Sequence, residues 1–179
     1  MRPPKSLPVC LATLATLLPA SALAASTPSP AGSGRTSRHA LLSSHELWAT
    51  IDVCSAVDQP DTVGIRGSMP GDGQAQDTMF MSFRLQYMDV ADKLWVNLAG
   101  ASSKFIAVGT GSAARQGGWS FQLVPVPGKP AFTLRGVVSF RWRKAAIVVD
   151  SVTRPTSAGR HSLAGADPAG FSATTCLVG

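Results

Sequence analysis

The stretch MFMSFRLQYM, residues 79–88, decides how the chain is read. Met79, Met81, Phe83, Leu85 and Tyr87 fall at every second position, with Ser82, Arg84 and Gln86 between them. A period of two sends one set to one face of a strand and the other set to the opposite face, the pattern of a half-buried β-strand. FTLRGVVSFRW, residues 132–142, repeats it. Phe132, Leu134, Val138, Phe140 and Trp142 share one face, and Thr133, Arg135, Ser139 and Arg141 share the other. A large apolar side chain taken fully out of water contributes about 1.5–3 kcal/mol. The inward residues of these two strands are therefore the expected centre of a core.

Shorter strand-like runs lie at residues 47–54, 62–69, 94–98, 104–109, 119–124, 146–152 and 171–178. Between them stand the turn-formers DQPD (58–61), MPGDG (69–73), GTGS (109–112), QGG (116–118), PVPGKP (125–130) and AGADPAG (164–170). No stretch of the domain sustains a helical period with caps. The expected fold is all-β, an antiparallel immunoglobulin-like β-sandwich of about seven to nine strands, with a small β-barrel as the alternative.

The N-terminal residues read as an address. Arg2 and Lys5 precede the apolar run LPVCLATLATLLPA (7–20), and small residues at Ala22 to Ala24 offer a cleavage site. This is the three-part pattern of a secretory signal peptide over residues 1–24. The apolar run is too short to span a bilayer, which takes roughly 20 residues. Attachment of lipid at Cys10 would need a small residue before it, where Val9 stands. Residues 25–44, ASTPSPAGSGRTSRHALLSS, offer almost nothing to bury before Leu41 and Leu42, so they read as a flexible tether. Residues 45–179 then form one domain. The expected product is secreted or otherwise extracytoplasmic, and not membrane-spanning.

Loss of the signal segment removes Arg2 and Lys5, leaving fourteen basic side chains against ten acidic ones, net +4. It also removes Cys10, leaving Cys54 and Cys176. Two cysteines in an oxidising compartment imply one disulfide, with one possible connectivity. The chain-entropy model assigns up to about 5 kcal/mol to a loop this long, with delivered values nearer 2–4 kcal/mol. No charged residue stands in SATTCLVG (172–179) to activate Cys176 as a nucleophile.

Groups for catalysis are scarce. The mature chain holds Glu46, nine Asp and three His, of which His161 alone lies well inside the domain. His161, Ser162 and Asp167 share one loop, but no G-x-S-x-G elbow is present, and adjacent side chains in an extended chain point apart. The loop reads as a polar turn, and no catalytic residue is assigned. Metal-ligand spacings of the C-x-x-C or H-x-x-x-H kind are absent, so no metal or cofactor is expected. DGQAQD (72–77) and DQPD (58–61) could lend oxygens to calcium but lack the acidic density of a calcium loop. Gly64 and Gly67, in GIRGSMPG, read as relief for a bulge or bend in a strand.

Two sets of residues are candidates for ligand binding. Arg135, Arg141 and Arg143 share the outer parity of one strand, and Arg84 that of another. Were those strands neighbours, the four would form a basic stripe suited to an anionic polysaccharide, cell-wall polymer or lipid head group. Among the tryptophans, Trp142 and Trp119 have core parity. Trp48 and Trp95 sit in strands apolar on both faces, where an exposed ring could stack on a sugar.

DTVGIRGSMPG (61–71), RQGGWSF (115–121) and TSAGRHSLAGADPAGFSATTC (156–176) resemble stretches of small secreted bacterial proteins of unknown function. The resemblance implies an immunoglobulin-like sandwich behind a signal peptide, with a shared cysteine pair, and carries no activity. The expectation is a non-enzymatic extracytoplasmic binding domain for a cell-surface or polysaccharide ligand. A structural or protein-interaction module, meeting a secreted protein partner, is the alternative, and a hydrolase a more distant one. Nucleic acid is not an expected partner of an exported protein of this mild charge. Intact mass under non-reducing conditions checks the covalent part. The mature monomer should be lighter by the hydrogens of both thiols, and two titratable thiols would refute the bond.

Overall fold

The computed structural model describes residues 34–160 and 163–179. The expected signal segment (1–24), residues 25–33 of the expected tether, and His161 and Ser162 lie outside the described residues. A short helix, α1 (Arg38–Ser43), precedes nine strands. These are β1 (Trp48–Ala56), β2 (Gln59–Met69), β3 (Asp77–Asp89), β4 (Leu94–Ser102), β5 (Ile106–Thr110), β6 (Arg115–Gln122), β7 (Phe132–Lys144), β8 (Ile147–Pro155) and β9 (Cys176–Val178).

The strands form two antiparallel sheets, one ordered β1-β2-β6 and the other built on β4-β3-β7-β8. At the centre of the larger sheet β3 and β7 pair from Asp77↔Lys144 to Tyr87↔Leu134 without a register shift. The free edge of β3 is shared end to end by β5 and β4, and that of β7 by β9 and β8. No closed barrel forms; the molecule is a β-sandwich of broad immunoglobulin-like shape with its own strand order.

The alternation of the two central strands carries through to the packing. Met79, Met81, Phe83 and Leu85 are buried, as are Leu134, Val138, Phe140 and Trp142. Ile51, Val63, Ile65 and Phe121 of the smaller sheet join the same core. The Trp142 indole N–H donates to the carbonyl of Pro70 at 2.9 Å, so its one polar group is not buried unpaired.

Three expectations change. The last strand, read over 171–178, is confined to Cys176–Val178, because the preceding residues serve the other sheet. Ala173 exchanges both backbone hydrogen bonds with Ile51 of β1, at 2.9 and 3.0 Å, before Cys176 joins β7. The tether is ordered over residues 34–44. Ser37 caps α1 by accepting from the Ala40 N–H at 3.2 Å, Leu41 enters the core, and Arg38 pairs with Asp150 of β8. Arg35 of the same segment pairs with Asp72 and Asp77, and Arg154 of β8 donates to the Leu42 carbonyl at 3.2 Å. Trp119, expected in the core, is 42% exposed. Its strand β6 is an edge of the narrower sheet, so an inward parity there does not guarantee cover.

Truncation of the central side chains should expose this hierarchy. Phe83→Ala and Phe140→Ala should each cost about 3–5 kcal/mol, and Arg84→Ala much less, in urea titrations. Equal losses at Phe83 and Arg84 would contradict the facing described here.

Candidate functional site

Among the described residues one disulfide joins the two sheets, Cys54–Cys176, S–S 2.00 Å and Cα–Cα 5.5 Å. Simple alternation along β1 would place Ala49, Ile51 and residue 53 inward and Cys54 outward. A bulge corrects the phase: Ile51 pairs with Ile65 and Val53 with Gly64, so Asp52 is the extra residue. Cys54 then lies opposite the inward-facing Val63 and reaches Cys176. The two crowded side chains of the bulge explain Gly64. A Cβ there would sit 2.7 Å from Asp52 Oδ1 and 2.9 Å from Val53 Cβ. Asp52 itself accepts from Arg66 Nε at 2.7 Å.

The outer face of the larger sheet gathers the four candidate arginines. The β3–β7 register forms five rows of outward pairs: Thr78/Arg143, Phe80/Arg141, Ser82/Ser139, Arg84/Val137 and Gln86/Arg135. An arginine stands in every row but the middle one. At about 3.3 Å per residue the rows extend over about 26 Å. None of the four forms an ion pair among the described residues.

Three of these arginines lie on aromatic rings. Arg141 stands 3.8 Å from the centroid of Phe105, Arg135 4.4 Å from that of Trp95, and Arg143 5.2 Å from that of Phe80. Cation–π contact of this kind contributes about 0.5–2 kcal/mol and flattens the guanidinium against the sheet. Arg135 Nε also donates to Gln86 Oε1 at 2.8 Å, and Arg143 Nη2 to the Ala146 carbonyl at 3.0 Å. Burial lowers the pKa of Arg135 from its ordinary value; an arginine nevertheless stays cationic at any physiological pH. The result is a row of planar cations held on a rigid strand pair, able to bind carboxylate, sulfate or phosphate groups in two-pronged fashion.

Sequence periodicity placed the arginines on this face but not their aromatic supports. Phe80 was legible as an aromatic at an outward position of β3. The parts played by Phe105 and Trp95 depend on where β5 and β4 dock. Trp95 thus lies half-buried under an arginine, and Trp48 is buried beside Arg160, 5.2 Å from ring centroid to guanidinium.

The other candidates resolve differently. Asp72 and Asp77, the ends of the possible calcium segment, both hold Arg35 from the segment before α1. Asp58, from the other acidic turn, meets Asp167, and their hydrogen bond raises the Asp167 pKa above the ordinary carboxylate value. Among the described residues no group of three or more His, Cys, Asp or Glu is placed to hold a metal ion. Also among them, no helix is long and apolar enough to cross a membrane. No protein-family model matches the chain, and no curated protein matches it.

The Arg35 cluster has a pH signature. Burial raises the Asp72 carboxyl above its ordinary pKa, with the neighbouring Asp77 acting in the same sense; the Gln74 N–H and Arg35 oppose them. A carboxyl whose folded pKa is raised stabilises most at low pH, and that contribution is lost as pH rises through the raised value. Removing Arg35 deletes one of the opposing groups and raises that pKa further. Arg35→Ala should therefore destabilise the domain more at about pH 7.5 than at about pH 5, as read by urea titration at both. An equal loss at the two pH values would refute the coupling.

Proposed function

We propose that this is a non-enzymatic extracytoplasmic binding domain that takes an anionic cell-surface polysaccharide on the outer face of its larger sheet. One observation carries the reading. Arg84, Arg135, Arg141 and Arg143 occupy four of five consecutive rows, with no carboxylate paired to any of them among the described residues. Cations that neutralise no partner within the fold are available to an external polyanion. A flat face about 26 Å long, at about 3.3 Å per residue, suits an extended chain better than a compact molecule. The aromatic rings beneath the guanidinium groups fix their positions, which lowers the ordering cost on binding.

The extracytoplasmic setting, and kinship with small secreted bacterial proteins, belong to the same proposal. The Cys54–Cys176 bond supports it, because disulfides persist in oxidising compartments. The signal-peptide pattern of residues 1–24 points the same way.

A second reading, docking of a secreted protein partner, is favoured by the apolar edge of β8. Ile147, Val148 and Val149 are 70%, 44% and 37% exposed there.

Co-sedimentation with anionic and neutral polysaccharides separates the two. The wild-type domain should bind the anionic polymer with an affinity that falls steadily as salt is raised. The double variant Arg135→Glu/Arg141→Glu should bind at least about tenfold more weakly. Equal binding by that variant, or equal binding to a neutral polymer, would overturn the first reading. Co-purification of one secreted protein, unaffected by the charge reversals, would support the second.

A further inference from the structure

A cleft of about 430 Å³ lies over the outer face of the smaller sheet, on the opposite side of the sandwich from the arginine rows. Its floor is one row of outward residues across the sheet. Trp48 pairs with Ser68, and Ser68 with Gln116. Arg160, His45 and Glu46 line the same space. The volume falls within the range of small-molecule sites, about 300–1,000 Å³.

Among the described residues, Arg160 and Glu46 of this cleft have no ion-pair partner. Arg160 lies with its guanidinium 5.2 Å from the Trp48 ring centroid, and its backbone N–H is fixed by Ser172 Oγ at 3.0 Å. Its Nε is buried and has no hydrogen-bond partner among the described residues. Arg160 and Glu46 line one cleft yet stand too far apart to pair with each other. Ser68 is only 3% exposed, and its hydroxyl bonds to no described residue. The Gln116 amide is equally unengaged.

A partly buried cation and a carboxylate that line one small cleft without pairing leave a gap suited to a ligand carrying both charges. An anion alone would face Glu46, and a cation alone would face Arg160; like-charge juxtaposition disfavours both. We infer that the cleft binds a small zwitterion of the α-amino acid type. Its carboxylate sits on the Arg160 guanidinium and its ammonium on Glu46. Ser68 and Gln116 supply the lateral hydrogen bonds, and the ligand's side chain lies toward Leu163. Arg160 suits this role because its planar fork matches a carboxylate while its other face stays on Trp48. The site is separate from the polymer-binding face and does not depend on that reading.

Isothermal titration of the mature chain with glycine, L-alanine, D-alanine and L-leucine tests the assignment, with acetate and methylammonium as half-ligands. At least one amino acid should bind saturably, with Kd on the order of 1 mM or tighter. Acetate and methylammonium should each bind at least about tenfold more weakly. Arg160→Gln and Glu46→Gln should each cost the amino acid about tenfold or more, with the far-ultraviolet circular dichroism unchanged. If Arg160→Gln does not fold, Arg160→Lys, which keeps the charge but loses the fork, must still weaken binding. Three results would overturn the inference: no saturable binding of any of the four amino acids, acetate binding as tightly as they do, or variants that bind like the wild type.

Discussion

The antiparallel register between β3 and β7 is the constraint on which the rest of this structure depends. Eleven residue pairs run from Asp77↔Lys144 to Tyr87↔Leu134 with no interruption. Because side chains alternate, a slip of one residue would turn an entire strand over. Phe83 and Leu85 would face solvent, and Arg84 would enter a core that offers it no partner. The cost of burying an unpaired cation is far larger than that of any single lost apolar contact. Core and basic face are therefore two readings of one register, and neither can be altered without the other.

Around this centre the two sheets are joined by different means at different margins. On one side the chain crosses between them. Ser157 N–H donates to the Ala49 carbonyl at 2.8 Å after β8 leaves β7, and Ala173 meets Ile51 before β9 returns to it. The disulfide completes this seam. At the opposite margin β6 and β4 remain edges, and between them opens a groove of mixed polarity lined by Leu98, Phe121, Gln122 and Phe132. At the β2–β3 end, Arg35 and α1 supply the cover that the smaller sheet lacks.

How far these features are legible in the sequence follows from the range of the interactions that create them. Met79 to Tyr87 and Phe132 to Trp142 announce their faces because alternation is local. The pairing of Cys54 with Cys176 is legible because only one connectivity exists. The bulge at Asp52 leaves only an indirect trace, the glycine opposite it at position 64. The docking of Arg35 on Asp72 and Asp77, across more than thirty residues of chain, leaves none. Polar composition there reads as tether because the carboxylates that order it lie elsewhere in the sequence. The cleft at Trp48 escapes for the same reason: Glu46 and Arg160 come to line one space only once the chain after β8 has returned to β1. Trp119 shows the opposite error, an inward parity on an edge strand that has no neighbour to cover it.

The position of the disulfide also governs how the molecule bears tension. Cys54 and Cys176 are 122 residues apart in sequence, but the covalent path between them is a single bond. A pull applied beyond Cys176 passes through that bond to Cys54 and so to β1. Every strand from β2 to β8 lies within the closed loop, and its chain cannot be drawn out while the bond is intact. Only chain outside the loop can lengthen, so a domain held at both ends would yield by peeling the part of β1 ahead of Cys54 while β3 and β7 stayed paired.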